Sequence, residues 1–445
     1  MTAVREGRQR KPIHLAAHFP GVNNTTVWSD PDSGSQVEFE SFVHLARTAE
    51  RGLFDFFFLA EGLRLREHRG RIHDLDVVGR PDTFAVLAAL AGVTDRLGLA
   101  GTINTTFNEP FEVARQFATL DHLSDGRAGW NMVTSSDAFT GENFRRGGFL
   151  DHSDRYKRAE EFIIVARKFW GSWAPDAVVA DRDSGIYVDP GRIRQVEHNG
   201  AHFDVRGVAT LPPPPQGHPV LLQAGDSADG RAFGAKHADA LFTLHSALQA
   251  GQQYYADVKG RAASLGRDPD QLKVFPAATF VLGDTPEDAA DKARHIRLQQ
   301  VSGPTAIAML EQVWQRDLSA YDPEGPLPDV EPVDDPTITQ GRVRHGDPKA
   351  VAAAWRERAE ADNLSIRQLV IAVTSRQQFV GTPVQVADEI DLHVQSDACD
   401  GFILVPHLTP HGLDDFVDRV VPLLQERGGF RTEYTGHTLR DHLGL

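Results

Sequence analysis

FNEPFEVARQFATLDHLSDGRAGWNMVTS, residues 107–135, decides how the chain folds. Apolar side chains at Phe111, Ala114, Phe117, Ala118 and Leu120 recur at helical spacing, and Pro110 stands in the first turn, where a helix tolerates proline. A short apolar run at 128–133 follows, the pattern of a strand buried on both faces, with Asn131 as a lone amide in its middle. An amphipathic helix feeding a doubly buried strand is the repeating unit of an α/β protein with a parallel sheet.

The same alternation extends in both directions. Apolar runs at 13–19, 54–59, 97–103, 128–133, 219–224, 240–243, 274–281 and 402–405 read as eight strands. Helical segments lie between them, among them 156–170 with Ala159, Phe162, Ile163, Ala166 and Phe169 on one stripe. Eight such units point to a closed (β/α)8 barrel, an α/β fold, although periodicity alone does not separate it from a doubly wound sheet. Two stretches break the rhythm. Residues 174–218 read as an irregular excursion with a short hairpin at 195–205, and residues 303–347 as a Pro-, Gly- and Asp-rich insertion suited to a lid. Neither separates two cores, so residues 12–445 read as a single domain after a disordered basic tail, 1–11.

Composition sets further bounds. The 445 residues carry 46 Lys+Arg against 62 Asp+Glu, a net charge of −16, which argues against nucleic acid as a partner. The lone cysteine, Cys399, excludes an intrachain disulfide and cysteine-based zinc sites. No apolar run reaches membrane-spanning length and no apolar core follows the basic start, so neither a membrane nor secretion is expected and the cytoplasm is the expected location.

Barrel active sites lie at the carboxyl ends of strands, which directs attention to the residues there. His14 and His18 fall on one face of strand one, roughly 13 Å apart, too far to share a metal ion, and no metal is expected. Strand two ends at Glu61, whose alternative is a salt bridge to Arg64 or Arg66. Thr102 lies in a polar run, 101–110, and Asn131 needs a partner wherever it is buried. His152 and Tyr156 stand four apart at a helix start, where anions are favoured. After strand five, Gly225-Asp226-Ser227 opens a helix as a candidate phosphate cradle, against which the Asp226 charge counts. No H-E-x-x-H, no G-x-S-x-G elbow and no strand-borne G-x-G-x-x-G is present, so reducing equivalents for any redox chemistry must come from outside.

With these residues in place the chain resembles the bacterial-luciferase-like flavin monooxygenases. The branch is that of nitrilotriacetate, EDTA and dibenzothiophene-sulfone monooxygenases and pristinamycin IIA synthase. The likeness runs from about residue 13 to the end. It is carried by ERGLFDFFFLAEG (50–62), the opening stretch, RYKRAEEFIIVARKFW (155–170), SGIYVDPGRIRQVEHNGAHFDVRG (184–207), PPPPQGHPVLLQAGDSADGRAFGAKHADALF (212–242) and LVPHLTPHGLDDFVDRVVPLLQERG (404–428). The resemblance implies a TIM barrel with insertions, assembled as a homodimer or homotetramer. It implies the oxygenase half of a two-component system that uses reduced FMN from a separate NAD(P)H:FMN reductase, O2 and a small organic substrate. Carried over by position, Glu61, Thr102 and Asn131 face the flavin ring or ribityl chain. His152, Tyr156, Ser227 and the Asp226 amide hold its phosphate. The family usually has Asp at the place of Glu61 and a small apolar residue at that of Asp226. His18 and His245 are the candidates for substrate contact. The net charge disfavours a polyanionic substrate unless local Arg64, Arg66, Arg69 and Arg71 outweigh it. Two other readings share the fold: an oxidoreductase using the deazaflavin F420 or a flavin without oxygen insertion, and a non-catalytic flavin-binding protein.

Overall fold

A computed structural model of the chain describes residues 10–21, 25–72, 78–135, 138–144, 152–335, 338–340 and 347–445. Eight parallel strands close into a barrel: β1 (His14–His18), β2 (Phe56–Leu59), β3 (Gly98–Asn104), β4 (Ala128–Val133), β5 (Val220–Ala224), β6 (Ala240–Thr243), β7 (Lys273–Ala278) and β8 (Gly401–Leu404). Each pairs with its neighbour in sequence, and β8 pairs with β1 in the register His14 to Gly401, which shuts the cylinder. All eight expected strands are present. The seventh is shorter than its apolar run. Pairing with β8 ends at Ala278, and Phe280–Leu282 leaves the barrel to pair with Phe379–Gly381. Hydrophobicity continues through this break because both pieces are buried, so the run does not mark it.

Side chains alternate across the strands. Ala16, Phe56, Phe58, Ala100, Leu222 and Phe275 fill the barrel, while Leu15, Phe57, Leu99, Trp130 and Leu241 pack outward under the helices. Those helices include α1 (Phe39–Arg51), α2 (Thr83–Ala91), α3 (Pro110–Leu123), α4 (His152–Trp170), α5 (Ala228–His237), α6 (Leu248–Ser264) and α7 (Pro383–Gln395). At the amino ends of the strands a final helix, Leu439–Leu443, stoppers the barrel with Leu439 and Leu443. A Cβ at Gly98 would lie 2.6 Å from the Leu439 side chain, so only glycine admits the plug there.

The excursion at 174–218 holds two hairpins, Val178–Asp181 with Ile186–Val188 and Val196–Asn199 with Asp204–Gly207, the second close to its expected place. The insertion from 303 is less irregular than its composition. Ser302 caps a helix, Gly303–Trp314, that packs with Pro348–Asp362 and Ile366–Thr374 around Leu310, Val313, Trp314 and Val370 as a second small core. The Ile307, Leu310, Val313 and Trp314 stripe supplies the reason. Of the expected tail, residues 1–9 lie outside the described residues. Arg10 and Lys11 are held: Arg10 pairs with Asp391 at 2.6 Å, and Lys11 donates to the Tyr255 hydroxyl at 3.0 Å. Cys399 is buried, and burial followed by the Asp400 charge pushes its thiol pKa up, which leaves it unreactive.

Candidate active site

The upper layer of the barrel interior is set by strand alternation. His18, Phe58, Thr102, Asn131 and Phe242 follow the inward-facing parity of Ala16, Phe56, Ala100 and Ala240. Phe58 and Phe242 stack with ring centroids 5.7 Å apart, and the His18 ring lies 5.5 Å from Phe58. This aromatic layer floors the mouth. Beside it Thr102 and Asn131 sit in register on adjacent strands, and Asn131 Nδ2 donates to Thr102 Oγ1 at 2.9 Å. Asn131 Oδ1 is buried and has no partner among the described residues. His18 Nδ1 is likewise buried and unpartnered. Burial, followed by the neighbouring Arg80 guanidinium, lowers the His18 pKa to about 3, so the ring is neutral at physiological pH.

The sequence leaves Glu61 a carboxylate at the end of β2. Arg64 pairs with Glu142 at 2.7 Å. The Glu61 carboxylate accepts from the Asn104 backbone N–H at 3.2 Å and from Asn104 Nδ2 at 3.1 Å, while Asn104 Oδ1 accepts from Phe107 N at 2.7 Å. A buried amide thereby ties the ends of β2 and β3 together.

A second polar region forms where α4 and α5 begin. The Tyr156 ring packs on Phe233 at 5.7 Å. A Cβ added at Gly225 would come within 3.4 Å of the Tyr156 hydroxyl oxygen and 2.5 Å of Gln223 Nε2, so the turn lies close against both groups. Ser227 caps α5, its Oγ accepting from Gly230 N at 3.0 Å and keeping its own proton to donate. Asp226 is exposed, and its carbonyl accepts from Arg231 Nε at 3.0 Å. Arg158 reaches back from α4 to the carbonyls of Thr105 and Asn108, which fixes the helix beside the β3 end. His152 opens α4, and its side chain lies outside the described residues.

The comparisons with known proteins now bear on this geometry. The model of the family described as luciferase-like monooxygenase matches residues 21–401. The chain belongs to the luciferase-like monooxygenase family. It is 40% identical over 445 residues to N-acetyl-S-(2-succino)cysteine monooxygenase of Bacillus subtilis, covering 98% of this chain and 97% of the relative. It is 40% identical to nitrilotriacetate monooxygenase component A of Aminobacter aminovorans, covering 94% and 92%. Among solved structures, riboflavin lyase with modified FMN and riboflavin superposes with a TM-score of 0.79 at 30% identity, covering 98% and 96%. This luciferase-like monooxygenase is thus the oxygenase component of a two-component flavin-dependent system, and its reaction draws on reduced flavin and O2. Among its described residues no helix is long and apolar enough to cross a membrane.

The residues fit a flavin. An unpartnered buried carbonyl at Asn131, an aromatic floor and a glycine turn beside two hydroxyls are what a polar ring with a phosphate tail requires. Of the site residues expected in this luciferase-like monooxygenase, Glu61, Thr102, Asn131 and His18 gather at the mouth, and Tyr156, Asp226 and Ser227 at the α4–α5 junction. His245 lies just beyond β6, near enough to Asp226 and Arg231 of the α5 opening to feel their charges. Thr243 follows the outward parity of Leu241, and the His245 ring packs 5.2 Å from Tyr254 on α6, with Nδ1 2.7 Å from Thr243 Oγ1. Its Nε2, like His18 Nδ1, is buried without a partner among the described residues. Arg80, Phe58, Phe242 and Asn104 were missed. Inward parity within the apolar runs marks Phe58 and Phe242, whereas nothing local marks Arg80.

Proposed function

We propose that this mouth binds reduced FMN and that the enzyme transfers one oxygen atom of O2 to a small organic substrate. A separate NAD(P)H:FMN reductase would supply the flavin by diffusion, to a homodimer or homotetramer of the chain. The observation that carries the reading is the buried, unpartnered Asn131 Oδ1 beside Thr102, an acceptor in need of a donor at the place where a flavin would lie. Tyr156, Ser227 and the Asp226 amide, with His152, would hold the phosphate where two helices present their amino ends. Reduced flavin, when bound, supplies the electrons that activate O2.

The chain's own residues do the rest. Glu61, fixed by Asn104, orients polar edges at the rim. The Phe58 and Phe242 layer keeps water from below. His18, neutral and with Nδ1 uncommitted, offers the substrate a hydrogen-bond partner. Beside it Arg80 donates to the Pro20 carbonyl at 2.7 Å and holds that part of the rim. Relatives of near-equal identity are named for carboxylates and for a neutral sulfone, so the substrate panel spans both classes.

The test is anaerobic titration with reduced FMN. Turnover follows with a flavin reductase, NADH, O2 and a panel of carboxylated and neutral substrates, read by mass spectrometry for products heavier by one oxygen. Flavin binding and turnover of a panel member support the proposal. Hydride transfer with a deazaflavin and no O2 consumption, or tight FMN binding without turnover, overturns it in favour of the F420 or storage reading.

A further inference from the structure

Where α1 meets the segment after β8, three potential metal ligands converge. His44 lies on α1; His411 and Asp414 come from the segment that follows β8. His44 Nε2 is 2.9 Å from Asp414 Oδ2, His411 Nδ1 is 3.3 Å from the same oxygen, and the two histidine nitrogens are 3.1 Å apart. Ligand atoms around a tetrahedral zinc ion, with bonds of about 2.0–2.1 Å, stand about 3.3 Å from one another. The three separations match one face of such a tetrahedron. Two further observations support the site. Thr48, one turn along α1, donates to Asp414 Oδ1 at 2.7 Å and orients the carboxylate, the kind of outer hydrogen bond that metal ligands carry. The groove is open to solvent and also lined by Glu38 and Glu40, the latter one turn before His44.

We propose that His44, His411 and Asp414 bind a divalent transition-metal ion of the zinc class. The ion would staple the first helix to the last βα unit, across the seam where β8 meets β1. Without it, three atoms that each prefer a proton or a cation face one another at hydrogen-bond distance. With it, each supplies a lone pair to one centre and the fourth position is left to water. The site is a structural clip at the barrel's closure and is independent of the flavin reading.

The test uses the full chain freed of metal by chelator, then titrated calorimetrically with zinc chloride and, separately, magnesium chloride. Expected are one zinc ion per chain, a rise in Tm on zinc addition, and no response to magnesium, which disfavours imidazole ligands. Cobalt(II) should give the visible absorption of a tetrahedral site. His411→Ala, at a half-exposed position with little packing to lose, should weaken zinc binding about tenfold or more and abolish the Tm rise while circular dichroism stays unchanged. Asp414→Asn should do the same. Zinc binding unaltered in both variants, or no binding below millimolar zinc, overturns the proposal.

Discussion

Asn131 meets two opposed demands. Folding alone would favour an apolar side chain there, because its buried Oδ1 gains no hydrogen bond from the protein. Asn131→Leu should therefore leave the Tm of the ligand-free protein unchanged or raise it, while weakening reduced-FMN binding by about 1–2 kcal/mol. A variant that loses stability and keeps its flavin affinity would place the acceptor elsewhere. At the phosphate end the two hydroxyls bear on binding. Tyr156→Phe and Ser227→Ala should each cost about 1–2 kcal/mol of reduced-FMN affinity. Ser227→Ala should also cost about 1 kcal/mol of stability, since its Oγ caps α5. Unchanged flavin affinity in the double variant, measured by anaerobic titration, removes both residues from the site.

At the scale of elements, strands were legible and closures were not. A strand buried on both faces writes itself as an apolar run, so all eight were evident, and Pro110 and the 110–123 stripe announced α3. The helix Leu439–Leu443 gave no such signal. It is five residues long and mostly polar, and only its position beneath the barrel makes Leu439 and Leu443 core residues. Leu439→Ala should cost about 2–5 kcal/mol in urea unfolding, as a cavity in the barrel floor would. A cost below 1 kcal/mol would mean that the plug is loosely seated. The Gly303–Trp314 helix was hidden differently: its own stripe is clear, but the Pro- and Asp-rich residues after it dominate the composition of the window. The site shows the same division. Thr102 and Asn131 announce themselves as polar residues in apolar strands. Arg80 reaches His18 only through folding, and His245, which follows β6, packs its ring on Tyr254.

For the whole molecule, acid is the informative perturbation. Burial lowers the pKa of His18 to about 3, and burial, with Arg167 beside His237, lowers those of His237 and His442 to about 4. The unfolded chain binds protons at these positions from about pH 6.5, and the native protein does not. Their contribution to stability is therefore complete above pH 6.5 and is lost as pH falls toward 4 and then 3. Urea midpoints should decline from pH 7 to pH 4.5, before most carboxylates titrate, with uptake of up to about three protons on unfolding. His18→Asn should make the decline shallower; a flat profile over that range would show that these rings are not held neutral. One feature of the architecture bears on turnover. With Phe56, Phe58 and Phe275 packed along its axis and Leu439 and Leu443 stopping its base, the barrel is a cul-de-sac. With the flavin placed at this mouth as proposed, fresh flavin, substrate and spent flavin would share its open end, so each arrival would wait on a departure, and the order of that queue would become part of the enzyme's kinetics.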